Sequence, residues 1–396
     1  MAAPGRSSVQ HYRSYNDKNA SLLHLETPWP MWIQKTVTSS ASKLMLLSSA
    51  SGQMLGSPMS LPDVTLANDP VLYERSNGAI HILLNAVSSD RKATLLGLSL
   101  RDLYRNAVNV SIPDTASLQV SVMASGDWNR VEPPDNMGLQ VLYRSLGDAP
   151  THMQTPILAD LDRDLIADVL LLGYDGAVTV LGGQTFTELW KAEFPGAGSY
   201  SPPAVSWYNT DEYPDIMVNQ MHGHNATVLI LDGSTGSILW SLQVPSHEHG
   251  APVAMVTADS FASTFVFMVH GRIGDNGTVL SVTSEAQLCS SHSTTVGLNV
   301  YAIDSSMGET ALHLTEQLPR IYSIGMNKQD ERKKSCTVLT PGEEPSVSIA
   351  HISSAVTKDV ILQVALQADD GNGDSMLVLR KLSYEEALRR DSIVHL

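Results

Sequence analysis

Cysteine is nearly missing from this 396-residue chain. Its two cysteines, Cys289 and Cys336, are too few for a four-ligand zinc site or a disulfide-rich scaffold. They leave one bridge, if the chain meets an oxidising compartment, or two ordinary thiols. Basic residues are also scarce: 25 Lys+Arg stand against 41 Asp+Glu, a formal charge of −16. Nucleic-acid binding needs clustered cations to neutralise phosphates, so that class of partner is excluded. The run Arg332-Lys333-Lys334 sits beside Asp330 and Glu331 and reads as a solvated turn. Nothing approaches the run of about 18 apolar residues that a membrane-spanning helix needs. The nearest stretch, 251–269, is broken by Asp259, Ser260 and Ser263 and reads as buried strand. The opening MAAPGRSSVQHYRSYNDKNAS is polar and lacks the apolar core of a signal peptide. Residues 1–27 are expected to form a flexible tail. Catalytic signatures are missing too: no Gly-x-Ser-x-Gly elbow, P-loop, dinucleotide glycine fingerprint or His-Glu-x-x-His.

What remains is a folding sequence rich in short strands. Hydrophobic residues make up 43 % and charged ones 17 %, the reverse of a disordered composition. Helical periodicity is confined to 383–390 (SYEEALRR). Elsewhere, apolar or β-branched runs such as 43–47, 80–84, 169–172, 227–231, 265–269 and 360–365 alternate with Gly, Asp, Asn, Ser and Pro clusters. That spacing predicts an all-β sandwich, barrel or propeller.

Repeats separate these architectures. PILADLDRDLIADVLLL, from Pro156, leads into VLGGQTFTELW, which ends at Trp190. PAVSWYNTDEYPDIMV, from Pro203, leads into LDGSTGSILW, which ends at Trp240. Asp168 and Asp215 lie 47 residues apart, and Trp190 and Trp240 lie 50 apart. A fainter third copy runs through Val347–Ile352 and Lys358–Leu362. The hairpin half recurs around Gly52 and around Gly308. A period near 48 residues predicts a β-propeller of about seven to eight four-stranded blades over residues 28–396. Its repeats are clearest at 150–245, and 271–295 reads as an insertion.

One motif carries chemistry. Asp160, Asp162, Asp164 and Asp168 occupy positions 1, 3, 5 and 9 of a loop between apolar strands. With the carbonyl of Ile166 at position 7, they form a candidate Ca²⁺ shell, because hard cations take oxygen ligands. The loop resembles the FG-GAP repeat, the calcium loop of integrin α-subunit propellers. That pattern carries Gly at positions 4 and 6, where this chain has Arg163 and Leu165. A left-handed backbone is therefore not expected there. In the second copy Trp207, Asn209, Asp211 and Asp215 take the ligand positions, one carboxylate fewer. In the third, His351, Ser353, Ala355 and Asp359 cannot hold calcium. Asp215 and Asp359 are expected to hydrogen-bond the turn backbone. The Asp232–Trp240 hairpin resembles quinoprotein dehydrogenase blades, in which the Trp docks one blade on the next. The adjacent Cys pair of those enzymes is absent.

Other signals carry less. The pairs His222/His224 and His247/His249 could chelate a transition metal but fit surface turns better. Trp29, Trp32, Trp128, Trp190, Trp207 and Trp240 read mostly as packing between blades. Asn19, Asn109, Asn225 and Asn276 head Asn-x-Ser/Thr sequons, with Asn109, Asn225 and Asn276 the candidate glycosylation sites.

The whole pattern is most similar to the group called "family with sequence similarity 234", single-pass membrane proteins with FG-GAP-like ectodomains. The resemblance implies a non-enzymatic, extracellular or lumenal protein-interaction module, with calcium at most structural, a setting in which Cys289 and Cys336 are the candidate disulfide. It also implies a cytoplasmic tail and a transmembrane helix before the propeller, and this sequence contains neither. A fragment, an isoform without its anchor and a different relative all fit that departure. A cytosolic propeller scaffold without calcium is the alternative function, and a quinoprotein-like enzyme the third.

Overall fold

The structure, a computed structural model, describes residues 9–13, 20–25, 31–37, 42–48, 51–61, 64–75, 80–88, 92–108, 138–144, 154–199, 201–209, 211–222 and 225–245. Further along, it describes 253–256, 263–270, 272–273, 279–280, 298–307, 310–314, 322–326, 334–338, 346–353, 358–367, 375–390 and 393–395. The chain divides into two compact units, Met1–Glu193 and Phe194–Leu396.

Among the described residues, the first unit holds three antiparallel sheets. Strands Val9–Arg13, Ala20–Leu25, Met31–Val37, Ser42–Ser48 and Met59–Leu61 pair in sequence order. In the next sheet Ile80–Ser88 pairs with Ala93–Ser99 on one side and with both Val64–Leu66 and Val71–Glu74 on the other. Gln140–Arg144 completes it at the free edge of Ala93–Ser99. The third is Ile157–Ala159, Asp168–Leu172, Val178–Leu181 and Glu188–Ala192 in order.

The second unit repeats that plan. Ala204–Ser206, Asp215–His222, Asn225–Leu231 and Ile238–Pro245 form a four-stranded sheet. Val253–Val256, Ser263–His270, Leu298–Ile303 and Thr310–His313 form the next, to which Ile393–His395 adds a fifth strand. Ser263–His270 pairs directly with Leu298–Ile303, so 271–297 is an excursion between neighbours, containing the small ribbon Arg272–Ile273 and Val279–Leu280. The expected insertion is therefore present. A three-stranded sheet, Ser346–Ser353, Lys358–Gln367 and Ser375–Ser383, and a ribbon of Tyr322–Met326 with Lys334–Val338 complete the described strands.

Burial follows each strand's place in its sheet. All residues of Asp168–Leu172 and Val178–Leu181 are buried on both faces, whereas Glu188–Ala192 is largely exposed. Central strands covered on both sides and an open outer strand are what packed propeller blades require. In the first unit Ile33, Leu44, Leu46, Leu61, Ile82 and Leu98 are wholly buried in one cluster. In the second, Met217, Ile230, Phe265, Phe267, Tyr301 and Ile303 are equally buried, with Trp240 packed against them. Each such side chain contributes about 1.5–3 kcal/mol of transfer free energy. Trp240 and Phe267 belong to adjacent sheets and their rings lie 5.7 Å apart. That is the docking role expected for Trp240.

Three expectations change. Residues 9–13 and 20–25 are strands, not tail. Short apolar runs such as Leu22-Leu23 beside an open edge at Met31–Val37 give that edge the backbone partners it needs. A helix, Leu100–Val108, precedes the one at Tyr384–Arg389. Ser99 Oγ accepts from the Asp102 N–H at 3.0 Å and donates to its carboxylate at 2.6 Å, capping the first turn. Leu100, Leu103 and Ala107 bury one face. The left-handed backbone not expected in the Asp loop is also present, as described below.

Phe267 sits 5.9 Å from the Tyr301 ring as well as against Trp240. Phe267→Ala is expected to destabilise the second unit by about 3–5 kcal/mol, read as a lower urea midpoint.

Candidate metal centre

The Asp160–Asp168 loop joins Ile157–Ala159 to Asp168–Leu172, whose pairing of Ala159 with Asp168 closes it. Asp168 is fully buried at the start of its strand. Its Oδ2 accepts the Leu161 and Asp162 N–H groups at 2.8 and 3.2 Å, and its Oδ1 accepts the Gly183 N–H at 2.8 Å. One carboxylate thus holds both the loop and the following hairpin.

The other aspartates tie the turn from outside. Asp162 Oδ1 accepts the Asp164 N–H at 3.0 Å, and Asp164 Oδ1 accepts the Ile166 N–H at 2.8 Å. Asp160 Oδ2 accepts the Leu165 N–H at 3.1 Å. These bonds hold Arg163 at φ 65° and Leu165 at φ 69°. Left-handed backbone costs a non-glycine residue about 1–2 kcal/mol, while hydrogen bonds to charged groups return about 1.5–3 kcal/mol each. The carboxylate bonds win, which corrects the expectation drawn from the missing glycines.

Asp160, Asp162 and Asp168 each offer an oxygen within 4.8 Å of the others. Asp164 lies outside that cluster and serves the turn through Ile166. Asp160 Oδ1 is buried with no hydrogen-bond partner. An all-oxygen donor set with one orphaned carboxylate oxygen suits a hard cation.

Two residues that sequence reasoning passed over support this centre. The Tyr73 hydroxyl donates to the Gly183 carbonyl at 2.7 Å, and its ring meets Phe186 at 5.6 Å. A Cβ on Gly183 would stand 2.2 Å from the Ala167 carbonyl oxygen, so only glycine lets the hairpin reach Asp168. The Gly-Gly pair was a visible signal for close approach. Tyr73, 110 residues away, gave none.

The second copy builds the same turn. Asp215 is fully buried, and its Oδ2 accepts the Tyr208 and Asn209 N–H groups at 2.7 and 3.0 Å. Asp211 Oδ1 accepts the Tyr213 N–H at 3.0 Å, and Glu212, matching Leu165, has φ 74°. The backbone role expected for Asp215 is therefore present. In the third copy Asp359 pairs with Ile352, a shorter connection than the first two, and its side chain lies outside the described residues.

Residues 33–296 match the FAM234A/B beta-propeller family. The chain belongs to that family. Protein FAM234B from Homo sapiens is 24 % identical over 230 residues, covering 57 % of this chain and 34 % of that relative. Protein FAM234A from Homo sapiens is 23 % identical over 291 residues, covering 69 % of this chain and 48 % of that relative. The chain thus spans about a third to a half of the curated relatives it matches. Among solved structures, BamB from Moraxella catarrhalis superposes with a TM-score of 0.35 at 11 % identity, over 90 % of this chain and 80 % of its own.

The remaining sequence candidates of this FAM234A/B-family chain are less defined. Asn19, Asn109, Asn276 and Cys289 lie outside the described residues. Asn225 starts a strand, its backbone paired with His222 and Pro245, and Cys336 pairs in register with Ile324. The side chains of both lie outside the described residues. His222 is exposed at a strand end, and His224, His247 and His249 lie outside. No described helix is long and apolar enough to cross a membrane.

Burial, against the pull of backbone donors, pushes both Asp168 and Asp215 up to about 6. Partial desolvation and its carboxylate neighbours also raise Asp162. In the unfolded chain such groups ionise near about 4. The folded state therefore binds more protons between those values, and stability falls as pH rises through that window. In chelator, the melting temperature is expected to drop between about pH 4 and about pH 6, with a flatter profile in Asp168→Asn/Asp215→Asn. Leu165 is 91 % exposed, so Leu165→Gly removes strain without losing packing. It is expected to stabilise the first unit by about 0.5–1 kcal/mol in urea unfolding.

Proposed function

We propose that this β-propeller is a non-enzymatic protein-binding module displayed on the extracellular or lumenal side of a membrane, with calcium as a structural tie in the 160–168 loop. Family membership supports the propeller. The calcium reading rests on one observation: Asp160 Oδ1, buried without a partner among carboxylates of the loop. Asp160, Asp162 and Asp168 would hold the ion, and the Asp164 carboxylate and Ile166 carbonyl stand nearest in sequence to complete its oxygen shell. Bound there, calcium would cancel the repulsion among these carboxylates and stiffen the loop.

A weak calcium site in this loop would support that location. Extracellular calcium modules fill at about 10⁻⁴–10⁻³ M, a concentration met outside cells and in secretory compartments, and a loop of that affinity would be occupied there. A Cys289–Cys336 bridge, or glycans at Asn109, Asn225 or Asn276, would belong to the same setting.

Calcium titration followed by thermal melting tests the tie. Native protein is expected to melt higher as calcium approaches millimolar levels, and Asp162→Ala to lose most of that gain. Identical curves for the two proteins would remove calcium from the loop. Glycosidase treatment and a non-reducing gel of protein from intact cells test the location. A mobility shift in either supports the secretory side, and none in both would place the propeller elsewhere.

A further inference from the structure

The second unit gathers carboxylates that its loop alone does not supply. Ile216 pairs with Leu231 across the sheet. Asp215, just before the one, therefore faces Asp232, just after the other. Asp211, Asp215 and Asp232 each offer an oxygen within 4.8 Å of the others. Asp215 is 0 % exposed, and while its Oδ2 takes two backbone donors, its buried Oδ1 has no hydrogen-bond partner. In the first unit the corresponding Asp168 Oδ1 is satisfied by the Gly183 N–H at 2.8 Å.

Sealing a carboxylate from water with one oxygen unpartnered and two more carboxylates beside it is unfavourable unless a positive charge completes the group. Asp232 is arranged to take part. Its Oδ1 is committed to the hairpin, accepting from Ser234 Oγ, Thr235 N and Thr235 Oγ1 at 2.7–2.9 Å. These bonds fix the Asp232 carboxylate in place, and it offers one oxygen to the cluster. Asp211 reaches the cluster from the exposed side of the loop.

Comparison of the two sheets gives this arrangement its logic. Val169 pairs with Leu181 as Ile216 pairs with Leu231, so Gly182 occupies the place of Asp232. The first loop has aspartates at positions 1 and 3, where the second has Trp207 and Asn209. Among the described residues each unit brings three carboxylates together, but the second draws one from its hairpin.

We propose that Asp211, Asp215 and Asp232 form a binding site for a hard divalent cation of calcium size, joining the 207–215 loop to the 231–238 hairpin. The donors are all carboxylate oxygens, and their 4.8 Å limit fits within the span of two opposed ligands at about 2.3–2.6 Å from one calcium ion. The site shares no residue with the 160–168 loop, so the two fail separately.

Calorimetric titration of the full chain with calcium, and in parallel with magnesium, tests the site in native protein, Asp232→Asn, Asp232→Gly and Asp162→Asn. Asp232→Gly copies the first hairpin, which turns with Gly182, and guards against misfolding of the other variant. Both Asp232 variants are expected to lose one calcium-binding event or weaken it at least about tenfold, and Asp162→Asn to keep it. Terbium emission sensitised by tryptophan, with Trp207 in the loop, should fall in the Asp232 variants and persist in Asp162→Asn. Unchanged calcium stoichiometry and affinity in either Asp232 variant would overturn the proposal. So would a lower melting point in chelator with an unaltered calcium response, since Asp232 would then only cap its hairpin. Magnesium binding as tight as calcium would overturn the calcium-sized assignment.

Discussion

A buried aspartate at the head of the second strand is the interaction on which each clear repeat depends. Asp168 collects three backbone N–H groups, from Leu161, Asp162 and Gly183, and Asp215 collects two, from Tyr208 and Asn209. Each of these donors sits in a turn that has no strand partner to satisfy it. A carboxylate can accept several N–H groups where a neutral side chain offers fewer lone pairs, which explains why a charge is retained at a fully buried position. In the first repeat the loop entering the strand and the hairpin leaving its neighbour are thereby fixed to one point, and in the second Asp215 fixes the loop.

That anchor explains how the repeat tolerates sequence drift. Gly236 at φ 74° and Phe186 at φ 57° occupy the same hairpin position, and Gly52 at φ 69° occupies it in an earlier hairpin. In all three, the left-handed residue donates its N–H to the carbonyl four positions back, at 2.7 Å. The geometry is held by hydrogen bonds, and glycine is the cheaper way to fill it. Phe186 offsets its strain by burying its ring against Tyr73, and Leu165 and Arg163 offset theirs through the Asp loop.

Much of this was legible in the sequence because strands in this chain are contiguous apolar runs between turn residues. All six runs singled out, from 43–47 to 360–365, lie within strands. The helix at Leu100–Val108 was not, since Leu96, Leu98 and Leu100 continue the alternation of the strand before it and the helical spacing begins only afterwards. The positive φ of Arg163 and Leu165 was hidden because a glycine rule describes residues in isolation, and here neighbouring carboxylates set the conformation. Asp232 stood out in the sequence only as the start of the Asp232–Trp240 hairpin, whose turn it caps. Its proximity to Asp215 depends on the pairing of Ile216 with Leu231, and register is a property of two strands together.

The fifth strand of the 253–313 sheet has a consequence for how the chain acquires its structure. Ile393–His395 pairs with Thr310–His313, although some eighty residues separate them and a further three-stranded sheet, 346–383, intervenes. During synthesis the edge at Thr310–His313 must wait, with its backbone groups open, until that later sheet has emerged. Closing so long a loop is entropically slow, and an unpaired edge is a template for mispairing with other chains. A strand made some eighty residues later is thus the one that retires the exposed edge, and maturation of this sheet is timed by translation of a segment far from it in sequence.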